Sequence, residues 1–161
     1  MRRPHFLISA AWVLQGAAWF LPVVTSVVGG SINPITGWGA FLLSSTAFWP
    51  RTDSVFGTWY ETVFATGSVV ATVLFIFGSP WVAVSGSRSL RRISAWVAVA
   101  AFVLNSHWYV LLRPDGFVSR LGIGYFFWWF SFVLLAIGLF DLADGSHAAE
   151  STQSSAALLP R

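Results

Sequence analysis

Four long apolar runs divide the chain, and polar or charged residues mark their ends. The clearest is Leu121 to Phe140, LGIGYFFWWFSFVLLAIGLF, which holds no charge and is closed by Arg120 and Asp141. At about 1.5 Å of rise per residue, a helix this long covers about 30 Å, the thickness of a bilayer's hydrocarbon core. Phe6 to Val28 is equally uncharged and follows the basic head Arg2-Arg3. Thr58 to Trp81 and Ile93 to Leu112 complete the set. Asp53 or Ser54 can cap the second run, and Glu61 falls in its first turn, where the helix dipole favours an anion. The spacing predicts an all-α polytopic membrane protein with four transmembrane helices over about 6–28, 58–81, 93–112 and 121–140.

The breaks between the runs refine this picture. Pro22 is expected to kink the first helix without ending it. A basic head before an apolar run also suits a secretory signal, whose apolar core is about 7 to 15 residues. This run is longer and passes into Gly29-Gly30 without a small-x-small cleavage site, so it is read as a retained helix. Between positions 29 and 50, Gly, Ser, Thr, Asn and Pro interrupt the apolar pattern. Ile35 to Trp49 places Trp38, Phe41, Leu42, Phe48 and Trp49 near one helical face. It rises only about 22 Å, so it is expected as a short interfacial or re-entrant helix between the first two spans. Were it to cross, the spans would number five. Arg113-Pro114-Asp115-Gly116 reads as the turn that sets the last two helices side by side and antiparallel. Residues 1–145 then form the transmembrane domain. Residues 146–161 form a polar tail with no pattern long enough to fold alone.

Composition strengthens the membrane reading. The 161 residues are 56% hydrophobic and 9% charged, against about 25% charged in soluble domains. Cysteine is absent, which excludes disulfides, thiolate catalysis and Cys-based metal sites. The net charge of +3 comes from arginine alone, because the chain has no lysine. The arginines stand at the ends of apolar runs, where they set membrane orientation and do not point to nucleic acid. Arg88, Arg91 and Arg92 read as a cytoplasmic cluster, which places both termini on the cytoplasmic side of a bacterial inner membrane.

Candidate chemistry is sparse. Gly124, Ser131 and Gly138 recur every seventh residue on the fourth helix, and Ala98 and Ala101 lie on the third. Such small-residue stripes let another backbone approach, either within the bundle or on a partner's helix. Asn105 shares the Ala98–Ala101 stripe. A buried amide must be bonded, and Gln15 of the first helix is a candidate partner; the alternative role for Asn105 is ligand binding. His107 lies about 200° around the helix from Asn105 and is expected to face away from it. Its imidazole is the candidate cofactor ligand, for a haem iron or a chlorophyll-type magnesium. The alternative is a bond to a carbonyl or to headgroups. Of the ten tryptophans, Trp19, Trp38, Trp49, Trp59, Trp81, Trp108, Trp128 and Trp129 mostly fall near span ends, which suits aromatic belts. A carotenoid, quinone or other flat pigment would find surface there as well. Nucleophile elbows, paired carboxylates, metal-ligand spacings and phosphate loops are missing from the sequence.

The stretch Asn33-Pro34-Ile35-Thr36-Gly37-Trp38-Gly39-Ala40-Phe41 resembles a loop in uncharacterised bacterial four-helix inner-membrane proteins. Those carry a Pro, then Gly-Trp, then a small and an apolar residue after the first span. The likeness covers about a tenth of the chain and carries no activity with it. The leading expectation is a non-catalytic accessory subunit, held among other integral-membrane subunits of an energy-transducing assembly, photosynthetic or respiratory. The alternative is a binder or carrier of a small apolar molecule. An enzyme of lipid metabolism would need an acid–base pair that the spacing does not offer.

Overall fold

The computed structural model describes residues 3–28, 31–48, 59–110 and 120–157, with the side chains of 26–28, 31–32, 85, 110 and 146–157 left undescribed. The expected Asp53 or Ser54 cap and the Arg113–Gly116 turn lie outside these residues.

Helix α1 spans Arg3–Phe20 and stops eight residues short of the expected end. Pro22 supplies the reason. It disfavours helical geometry at Leu21 and offers no N–H. The β-branched sequence PVVTSVV then favours extended backbone. Strand β1, Pro22–Val28, pairs antiparallel with β2, Ser31–Thr36, so the predicted kinked helix is a helix followed by a hairpin. Strand β3, Arg120–Leu121, pairs with the other edge of β1, giving the order β2-β1-β3.

Helix α2, Gly37–Ser45, starts at Thr36, whose hydroxyl accepts from the Gly39 N–H at 3.4 Å. It and a 3-10 turn at Thr46–Phe48 lie within the stretch expected as a short helix. Helix α3, Trp59–Val73, runs through a π-helical turn, Leu74–Gly78, into α4, Ser79–Ser85. Pro80 sits in the first turn of α4. It cannot donate to the preceding turn, and a widened π turn accommodates the lost bond. Ser87 caps α5, Arg88–Asn105, by accepting from the Leu90 N–H at 3.3 Å. A break at Ser106 separates α5 from the short α6, His107–Val110.

Helix α7, Ile123–Ala157, is the longest element. Positions 146–157 of the expected unstructured tail are helical. Extending an existing helix adds a hydrogen bond per residue without a new nucleus, and Ala and Glu favour it.

α7 packs against α1 on one side and α5 on another, while α3 packs on α5 and α2. Phe75, in the π turn, closes the bundle: its ring centroid lies 5.5 Å from those of both Trp12 and Phe132. The core joins Ile8 and Ala11 to Ala95, Ala98 and Ala101 and to Phe132, Leu135, Ala136 and Leu139. Alanines on α1 and α5 let those helices lie close to α7. One end of the bundle carries the sheet. The other is tied by Arg3–Asp141 at 3.4 Å and Arg92–Asp144 at 3.2 Å.

Among the described residues two helices are long and apolar enough to cross a membrane, Trp59–Val84 and Ile123–Gly145. Only 33% and 44% of their most apolar windows are buried. Their outer faces are apolar: Phe77, Trp81 and Val84 on one, Ile123, Phe130 and Ile137 on the other. The shorter helices show the same property at Phe6, Val13 and Phe20 of α1 and at Ile93, Trp96 and Val103 of α5.

Candidate functional site: a polar seam inside the bundle

The small-residue stripe on α7 faces α1. A Cβ added at Gly138 would lie 2.7 Å from Ile8 Cγ1 and 3.1 Å from the Pro4 carbonyl oxygen. One added at Gly124 would meet the Leu21 and Pro22 carbonyl oxygens, each at 2.9 Å. Between them Ser131 Oγ lies 2.7 Å from Gln15 Oε1. Ile8, Gln15 and Pro22 are themselves seven apart, so the two heptads run in antiparallel register. This is intramolecular packing, with glycines where the backbones meet.

Gln15 bonds Ser131 and not Asn105, contrary to the expected pair. Asn105 is fully buried and turns to α3. Ser68 Oγ donates to Asn105 Oδ1 at 2.5 Å, and Asn105 Nδ2 donates to the Ala101 carbonyl at 2.8 Å. The Tyr125 hydroxyl of α7 donates to the Asn105 carbonyl at 2.7 Å. Ser68 and Thr72 are one turn apart on α3, and both are buried. Trp128 Nε1 donates to Thr72 Oγ1 at 3.2 Å, and Trp108 Nε1 donates to Ser68 Oγ at 3.4 Å. Farther along, Trp12 Nε1 donates to Ser79 Oγ at 3.2 Å. A chain of hydrogen bonds thus joins all the long helices through their interior.

The sequence placed Trp128, Trp129 and Trp108 in outer belts, but their indole N–H groups point inward. Trp129 Nε1 donates to the Phe102 carbonyl at 3.0 Å and to Ser106 Oγ at 3.1 Å. Ser68, Thr72 and Tyr125 were not legible as members of the seam. The available signal was the i, i+4 spacing of two hydroxyls on an otherwise apolar helix.

Ser131 Oγ also lies 2.6 Å from the Trp128 carbonyl. One hydroxyl proton cannot serve both acceptors. A half-turn of the Gln15 amide resolves this, because Nε2 then donates to Ser131 and the hydroxyl donates to Trp128. Gln15 Nε2, buried without a partner in the present orientation, is then satisfied.

His107 does not turn away from Asn105. The break at Ser106 lays its ring on Phe64 of α3, 3.9 Å between centroids at 16°, one turn from Ser68. Its Nδ1–H donates to the Leu104 carbonyl at 2.5 Å, which leaves Nε2 as a bare lone pair. That is the tautomer a metal-ligating histidine adopts. Nε2, however, is shielded by protein, and Trp108 lies 4.5 Å away on ring centroids. A haem or chlorophyll would need the protein around Nε2 to open. Among the described residues no three His, Asp or Glu side chains gather as a metal site.

No family model, curated protein or solved structure matches this chain.

Proposed function

We propose that this chain is a four-span integral protein of a bacterial inner membrane, with both termini cytoplasmic, that serves as a non-catalytic accessory subunit of a larger membrane complex. The observation that carries the reading is where the buried polar groups are spent. Across helices Asn105 bonds Ser68 and Tyr125, Ser131 bonds Gln15, and Thr72 accepts from Trp128, as glue in a medium without water. The charged side chains Arg3, Arg92, Asp141 and Asp144 pair at one end of the bundle. The outward apolar residues on every long helix suit contact with lipid or with another subunit's helices.

The arginine end corresponds to the cytoplasmic side by the positive-inside rule. There α7 continues for 13 residues past Asp144, about 20 Å of helix beyond the ion pairs and a ready arm for a partner. Energy-transducing assemblies, photosynthetic or respiratory, are the proposed setting, by analogy with small subunits of this composition.

Isolation from native membranes in a mild detergent, followed by mass spectrometry, tests the proposal. Integral subunits should co-purify in fixed ratio. A chain that runs alone contradicts it.

A second reading, a binder of a flat apolar pigment, draws on the bare Nε2 of His107. It requires the protein around Nε2 to open.

A further inference from the structure

The first five residues of α5 carry three arginines with different fates. Arg92 pairs with Asp144. Arg88 and Arg91 do not pair with any carboxylate among the described residues, and their Nε atoms are shielded from solvent without a hydrogen-bond partner. Arg91 lies one heptad before Ala98 and two before Asn105; Arg88 lies one before Ala95. All three of those residues are buried. The two guanidinium stems therefore start on the core-facing side of α5, at the mouth of the bundle. This end holds Arg3, Arg88, Arg91 and Arg92 against Asp141 and Asp144, four cations to two anions among the described side chains.

An arginine Nε shielded from water without a partner is unfavourable, and two half-buried guanidinium groups three residues apart on one helix face suit an anion with several oxygens. The surroundings select the anion. Trp81 and Val84 of α4 precede the arginines and are exposed, and Ile93 and Trp96 of α5 follow them and are exposed. Apolar residues thus flank the cations on both sides along the chain, as the acyl chains of a lipid require and a free anion does not. Resting on the membrane reading above, we infer that Arg88 and Arg91 clamp the phosphodiester of an anionic phospholipid headgroup at the cytoplasmic mouth between α4, α5 and α7.

The test uses the full-length chain, delipidated in detergent and offered phosphatidylglycerol or phosphatidylcholine, with bound lipid counted by native mass spectrometry. Wild type should retain phosphatidylglycerol over phosphatidylcholine by about tenfold, and the double variant Arg88→Gln/Arg91→Gln should lose that preference. Arg92→Gln, which breaks only the Asp144 pair, should keep it. Equal helicity by far-UV circular dichroism shows that each variant is folded. The clamp is overturned if all three chains show the same preference, or if inorganic phosphate competes as well as the lipid does. The arms also separate the two layers of the proposal. A chain that enters phospholipid nanodiscs but shows no anionic preference defeats the clamp alone, while a chain that enters no nanodisc defeats the membrane reading.

Discussion

Gln15 and Ser131, 116 positions apart in the chain, meet in the bundle core at 2.7 Å and fix the register of α1 against α7. Ile8 against Gly138 and Pro22 against Gly124 repeat that register one heptad to either side.

The pair predicts an asymmetry. Ser131→Val leaves a buried amide with no partner and should destabilise the bundle by about 1–3 kcal/mol. Gln15→Leu leaves Ser131 bonded to the Trp128 carbonyl. It should cost below about 1 kcal/mol, because the replacement is apolar and of similar size. The double variant should recover most of the Ser131→Val loss. Reversible unfolding in mixed detergent micelles measures all three.

The glycine contacts give a second contrast. Gly138→Val puts side-chain atoms where Ile8 and the Pro4 carbonyl already stand, and overpacking of this kind costs about 1–3 kcal/mol. Gly16 has no neighbour within 4 Å of an added Cβ. Gly16→Ala should therefore be neutral or stabilise α1 by up to about 1 kcal/mol. The same unfolding assay separates them. Equal effects would mean that α1 does not lie on the Gly124–Gly138 stripe.

Asn105 holds three bonds of the seam. Asn105→Leu removes the buried acceptor of the Ser68 hydroxyl and the donor to the Ala101 carbonyl, and it should cost about 1–3 kcal/mol. Ser68→Ala removes both the bond to Asn105 and the one from Trp108 and should cost about 1–3 kcal/mol. Because Trp108 Nε1 donates to Ser68 Oγ, both variants should also shift tryptophan fluorescence.

The ring packing at His107 predicts a colourless protein. The chain isolated from native membranes should lack bands above the aromatic region. His107→Ala should lower stability through the lost Phe64 stack and leave the spectrum unchanged. Visible bands that vanish in His107→Ala would revive the pigment reading.

The sequence made the apolar helices plain, because charge-free runs bounded by Arg and Asp have few other uses. Trp59–Val84 and Ile123–Gly145 fall close to the expected spans. The hairpin was hidden by hydrophobicity: PVVTSVV is as apolar as a span. Its strand signal lay in the β-branched run after Pro22 and the Gly29-Gly30 pair before Ser31. The partner of Asn105 was not legible, since four helices permit several pairings of buried amides and hydroxyls and only packing selects one. His107 was misplaced because a face calculation assumes an unbroken helix, and the chain breaks at Ser106.

Depth measurements at single sites on the four long helices test the central claim most directly. The chain contains no cysteine, so single cysteines can be introduced without prior substitutions. Val13, Val73, Val97 and Phe130 are exposed, each near the middle of an apolar helical run. Spin labels at these positions in phospholipid vesicles should all be reached by oxygen and shielded from a water-soluble nickel chelate. Chelate access at Val13 and Val97, with shielding only at Val73 and Phe130, would leave two crossing helices and contradict the four-span bundle.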